Sequence, residues 1–182
     1  MRAAMTLALA AVVALAACRD SNQPPVVSGS TAADSADQMF LGMKTILTSK
    51  GVQRADLTAD TAFVLEDQTK FDLRKPHVVF TTETGAPQGT MEANRGVYTT
   101  RQQILEGWGD VVVKMVDGRT LKSPHVLYNQ LTHTVTSDTS YTITRGNDVQ
   151  SGIGFTADQS FFPFTCLKSC KGTTTVKNLP EK

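Results

Sequence analysis

The chain repeats itself. LTADTAFV at residues 57–64 returns as VTSDTSYT at 135–142 and FTADQSFF at 155–162, and LRKPHVVF at 73–80 returns as LKSPHVLY at 121–128. MEANRGVY at 91–98 and the looser LEGWGDVV at 105–112 complete the series, with starts 14 to 20 residues apart. That spacing is about the length of one hairpin. Each copy opens on a large apolar residue, usually sets a small one two places on, often turns through Asp, Asn or Pro, then enters a segment rich in Val, Phe and Tyr. The pattern reads as strand, corner, strand, and a self-similar series decides the fold class before any single element does.

Composition agrees with this reading. Threonine occurs 25 times and valine 17 times, a β-branched bias suited to strands. Val111, Val113 and Met115 share one face of an alternating run, Val112, Lys114 and Val116 share the other, and Asp117 and Gly118 follow as a tight hairpin turn. Further turn signals stand at residues 85–89 and 145–148. Helical periodicity is weaker throughout; a short leading helix over Asp34 to Met43 is an alternative there, and Gly42 works against it. The expected body is one all-β unit over residues 38–165, a stack of antiparallel hairpins, followed by a C-terminal tail over 166–182. Such a stack has open edge strands at its two ends, whose unpaired N–H and C=O groups are either hidden or used to add a partner's strand.

Residues 1–17 have the form of a signal peptide: Met1 and Arg2 supply a minimal positive start, and Ala3 to Ala14 form an apolar run too short for a membrane span. Leu15, Ala16, Ala17 and Cys18 match the bacterial lipobox, a resemblance implying that the leader is cut before Cys18 and that its thiol carries a diacylglyceryl group. Each buried methylene contributes about 0.8 kcal/mol, so two or three acyl chains hold a protein on a bilayer without a transmembrane helix. An ordinary secreted protein with a coincidental cysteine is the plainer alternative. Residues 18–37, rich in Ser, Ala, Asp, Pro and Gln, read as the anchor and a flexible tether. Arg19 and Asp20 do not by themselves choose the inner or the outer membrane. With Cys18 acylated, Cys166 and Cys170 remain, and an oxidising envelope favours a disulfide between them. Four residues apart in an extended strand they are too distant, so a bridge needs a turn at Leu167 to Ser169.

Loss of Arg2 with the leader leaves 17 basic against 17 acidic residues, a balance that argues against nucleic acid as a partner. Repeat position and alternation place Leu57, Phe63, Leu73, Met91, Leu105, Val113, Met115, Leu121, Leu127, Tyr141, Ile143 and Phe155 inside. On the residues alone, these read first as the filled core of any β protein and second as the lining of an apolar groove. Trp108, between Gly107 and Gly109, is either a lipid-facing aromatic or a bulged corner. His77 and His125 hold equivalent places after Pro76 and Pro124; the repeat explains them, and even with His133 no metal set is completed. Glu66, Asp67, Glu83, Glu92 and Asp110 fall at turns and strand ends without a recognisable pair, and no nucleophile elbow, zinc motif or phosphate loop is present. Neither an enzyme nor a cofactor is expected; a glycan hydrolase would need two poised carboxylates in a cleft, and a structural lipoprotein a filled core.

Residues 91–138, followed by GIGFTAD at 152–158, resemble the OstA-like repeat family of lipopolysaccharide transport proteins, and most closely its LptC branch. The shared features are a small-residue turn before a Tyr, a Leu and Gly before the VVV strand, a DG hairpin, then Leu, a Pro turn, Tyr-Asn and Ser-Asp. The resemblance covers about residues 40–160. It implies a single twisted, boat-like β-jellyroll whose twelve interior residues hold the acyl chains of lipopolysaccharide. It further implies receipt of the lipid from an inner-membrane ABC transporter and delivery to a periplasmic bridge protein by edge-strand addition. The family's familiar members carry a transmembrane helix where this chain has a lipobox. A periplasm-facing lipoprotein of the inner membrane is therefore the expectation, with control of the transporter by a helix in question.

Overall fold

The computed structural model of the chain describes residues 33, 35–66 and 68–173; the leader, Cys18, most of the tether, Asp67 and residues 174–182 lie outside the described residues. The described elements are strands: β1 (Gln38–Ser49), β2 (Val52–Leu65), β3 (Lys70–Arg74), β4 (His77–Thr81), β5 (Pro87–Glu92), β6 (Arg95–Thr99), β7 (Ile104–Met115), β8 (Thr120–Asn129), β9 (Thr134–Arg145), β10 (Asp148–Asp158) and β11 (Phe164–Thr173). Among the described residues of the expected leading helix, Gln38 to Met43 are strand instead. Residues 38–49 pair antiparallel with β2, from Gln38 opposite Val64 to Ser49 opposite Val52, because a neighbouring strand supplies the hydrogen-bond ladder that overrides a weak local preference.

The chain is a meander folded across its middle. β2 pairs with β4 through Ala55–Thr58 and with β3 through Thr61–Leu65, so β3 and β4 are two halves of one bent strand. β5 and β6 are likewise two halves, paired with the far and near halves of β7. The crease falls at Lys75 and Pro76, Ala93 and Asn94, Gly109 and Asp110, Ser123 to His125, and Gly154. Six of the seven repeat copies therefore span the crease, as strand, corner, strand; the copy at 155–162 instead ends β10. Lys75, Gly109, Asp110 and Gly154 take positive φ there, which bends the backbone. The bends are stapled to one another: the Lys75 N–H donates to Asn94 C=O at 3.0 Å, and the Asn94 N–H to Gly109 C=O at 3.0 Å. Between β8 and β9 the ladder is interrupted from Lys122 to Leu127, and hydroxyls take its place, with Ser137 Oγ donating to His125 C=O at 2.7 Å.

The crease makes two walls that face each other. On the first wall Leu57, Val78, Phe80, Met91, Val113, Met115, Leu121, Tyr141 and Ile143 point inward; on the second Ala62, Val64, Leu73, Leu105, Val126, Tyr128, Val135 and Phe155 do so, all buried. Two expected interior residues are corrected. Phe63 is only half-buried, with the Arg74 guanidinium 5.4 Å above its ring, and Leu127 is likewise on the outer side, paired with Glu106 and Thr136. The cause is common to both. Inward residues run Leu57 then Ala62, and Leu121 then Val126, so each corner inserts an odd residue that inverts the alternation. In β7 the inward residues run Gly107 then Val111, an even step that keeps the alternation in phase, so Leu105 and Val113 both stay inside.

The C-terminal tail is also corrected at its start: residues 164–173 form β11 on the far side of β10. Cys166 and Cys170 are joined, with Cα atoms 6.0 Å apart, and the expected turn is a bulge in this strand at Ser169, φ +51°. Among the described residues, the outer edges of β1 and β11 have no strand partner, which makes the unit an open-edged β-jellyroll.

Candidate functional site

The inner faces form one continuous apolar surface. Met91 and Met115 supply flexible thioethers, Leu57, Leu73, Leu105 and Leu121 supply branched aliphatics, and Phe80, Tyr128, Tyr141 and Phe155 supply rings. Aromatic contacts run between the walls as well as along them. Phe80 meets Tyr128 edge-on at 5.1 Å and Phe161 at 6.4 Å, while Phe155 lies between Tyr141 at 5.5 Å and Phe164 at 5.0 Å. Apolar contact of this kind is non-directional and holds the two walls together.

Ten of the twelve residues expected inside are brought together here: Leu57, Leu73, Met91, Leu105, Val113, Met115, Leu121, Tyr141, Ile143 and Phe155. Sequence reasoning passed over Val78, Phe80, Val126, Tyr128, Val135 and Phe161. The repeat carried the signal for two of them, since Phe80 and Tyr128 end its two most similar copies. Trp108 is an outward-facing residue at a bulged corner, 43% exposed and stacked on His125 at 3.7 Å.

Polar groups border the apolar surface at the free ends of the walls, where the hairpin turns lie. Gln130, in the β8–β9 turn of the second wall, donates to Thr48 C=O on the first, and accepts from Tyr98 Oη at 3.3 Å. Gln159, after β10 on the second wall, donates to Thr81 C=O and Gln88 Oε1 on the first, each at 3.0 Å, and accepts from Tyr128 Oη at 3.2 Å. Burial pushes the Tyr128 hydroxyl up to about 12, which keeps it a neutral donor. Beside these lies His133, whose imidazole is held below its ordinary value by burial and then by Arg54 and Lys50, against a weaker opposite pull from Glu83.

The carboxylates considered for chemistry are scattered. Glu66 pairs with Lys70, Glu83 with Arg54, Glu92 with His77, and Asp110 accepts from Asn94. His125 stands at the crease between Glu106 at 3.3 Å and Asp138 at 3.4 Å, whereas His133 lies in the β8–β9 turn. Among the described residues no group of His, Cys, Asp or Glu is arranged to hold a metal ion. The buried carboxylate, Asp72, is 2% exposed on the outer side of the second wall and is held by Arg74 and Arg95, an arrangement that fixes β3 to β6.

Comparison with known proteins bears on this architecture. No curated protein matches the chain. Among solved structures it is similar to LptH, described as the LptA homologous periplasmic component of the conserved lipopolysaccharide transport device from Pseudomonas aeruginosa. That likeness has a TM-score of 0.50 at 11% identity, covers 66% of this chain and 94% of that one, and speaks to the fold. The family described as lipopolysaccharide-assembly, LptC-related, matches residues 4–174, a span that takes in β1 through β11. The chain belongs to this LptC-related family of lipopolysaccharide-assembly proteins.

Proposed function

We propose that the chain serves lipopolysaccharide transport through the periplasm by holding acyl chains between its two walls. The observation that carries this reading is the inner surface itself, where Leu57, Met91, Met115, Leu121 and Phe155 join across both walls in a chain of this family. Hydrocarbon entering that space exchanges one apolar contact for another, so passage needs no large free-energy change at each step. Directional energy comes from an ABC transporter partner at the inner membrane.

The edges supply the hand-over surfaces in this reading. β1 exposes Met39, Phe40 and Leu41, the last 75% exposed, along a strand with no second neighbour among the described residues. β11 offers the other open ladder, to a periplasmic bridge protein of similar fold. Cys18, acylated at the end of the tether, holds the unit at the periplasmic face of the inner membrane.

The acylated chain, extracted from membranes and purified in mild detergent, tests the carrier reading by native mass spectrometry with added lipopolysaccharide. The expected result is a complex that survives removal of the detergent and is lost on Leu121→Asp. Failure of the folded native chain to retain lipopolysaccharide over detergent alone overturns it.

A further inference from the structure

The walls that would admit hydrocarbon are shut in this structure, by apolar contact inside and by polar contacts along the rim. Opposite the crease, the free ends of the two walls meet along a seam. Three contacts in the seam come from two glutamines: Gln130, 2% exposed, reaches Thr48 C=O, and Gln159, 8% exposed, reaches Thr81 C=O and the Gln88 side chain. Each joins residues from opposite walls, 82, 78 and 71 positions apart in sequence. Both amides are also held from behind on their own wall by a tyrosine hydroxyl, Tyr98 to Gln130 and Tyr128 to Gln159. Directly inside lies the Phe80, Tyr128 and Phe161 cluster.

We infer that Gln130 and Gln159 form a reversible clasp, which closes the seam of the empty protein and parts to let acyl chains in sideways. The inference rests on the carrier reading above. Its physical basis is the difference between the two ways of closing a seam. An apolar seam is held by surface removed from water and resists opening in proportion to its area. A seam of amide hydrogen bonds exchanges protein partners for water when it opens, and each bond contributes only about 0.5–1.5 kcal/mol net. Glutamine thus keeps the aromatic cluster covered in the empty state, and its bonds add little to the cost of parting the walls, which entering hydrocarbon offsets by covering the exposed rings. Entering hydrocarbon takes over the contacts that Phe80, Tyr128 and Phe161 make with one another. The tyrosine hydroxyls keep each amide aimed across the seam, so that it re-forms after the lipid leaves.

The test uses the full acylated chain in detergent with purified lipopolysaccharide. Spin labels at Ala86→Cys and Leu131→Cys, exposed positions in turns of opposite walls, report the separation of the seam. The account expects lipopolysaccharide to lengthen that distance by about 4 Å, one layer of carbon. The Gln130→Ala, Gln159→Ala double variant should show the longer distance without lipid. It should also take up lipopolysaccharide at least about tenfold faster, the lower end of the factor expected when three hydrogen bonds of about 0.5–1.5 kcal/mol each are removed from the closed state alone. A second variant, Gln88→Cys with Gln159→Cys joined by a short bifunctional alkylating reagent, should lose uptake, and it decides the matter if the alanine variant does not fold. Native uptake rates in a properly joined variant, or in a folded alanine variant whose labels stay close, overturn the clasp while leaving the carrier reading in place. Failure of the native chain to retain lipopolysaccharide removes the carrier reading, and the clasp with it.

Discussion

Phe80 and Tyr128 hold the same place at the end of two copies of the repeat, and their rings meet edge-on at 5.1 Å between the walls. The repeat thus lays out a series of bent strands and also pairs equivalent residues across the interior they enclose. Both rings are fully buried. Phe80→Ala should cost about 3–5 kcal/mol in urea unfolding, the range for removing a buried aromatic ring. Tyr128→Phe keeps the ring and loses the bond to Gln159, and should cost about 1 kcal/mol. Equal losses in the two variants would contradict the division of roles.

Much of this was legible in the chain. The repeat and the turn signals dictate the hairpin stack, and the corner falls inside six of seven copies. Alternation failed at the corners, where the step between inward residues, odd in β2 and even in β7, decides which face continues inward; Phe63 and Leu127 are the result. The glutamines were illegible for a different reason. Gln130 and Gln159 lie in turns, where polar residues are unremarked, and only the closing of one wall on the other makes them buried.

Gly152 is required by close approach. A Cβ there would stand 2.7 Å from Cys166 Sγ and 3.0 Å from both Lys168 C=O and the Tyr141 ring, where β11 closes over β10. Gly152→Ala should destabilise by about 1–3 kcal/mol, as overpacking does, and should raise amide exchange in β11 ahead of global unfolding. Gly172→Ala, with nothing within 4 Å, is the matched control and should be near neutral.

Asp72 ties β3 to β6 through Arg74 and Arg95. Asp72→Asn retains the shape and removes the charge that both guanidiniums face. A loss of about 1–3 kcal/mol in denaturant midpoint is expected, the range for charge-assisted bonds to a buried group. The Arg74→Gln variant should lose less, since Arg95 stays on the carboxylate and Arg74 is partly solvated.

His133 gives the seam a pH dependence whose sign follows from its lowered pKa. The open or unfolded chain binds the proton more readily than the closed one, so stability from the neutral imidazole is fully present above the ordinary value of 6.5. It is lost as pH falls through the lowered folded value, where the cation would face Arg54 and Lys50. Label separation at the seam and unfolding midpoints measured from pH 7.5 to pH 4.5 should show a weakening on the acid side that His133→Gln reduces. An unchanged profile in that variant would assign the acid effect elsewhere.

Leu121 and Lys122 are neighbours in β8 with opposite directions, one fully buried inside and the other exposed. Ultraviolet crosslinking in cells from a photoreactive residue at each position reads which face meets the lipid. The account predicts lipopolysaccharide adducts at 121 and none at 122. Adducts at neither position, in a protein that is folded and membrane-bound, would contradict the carriage of acyl chains between the walls.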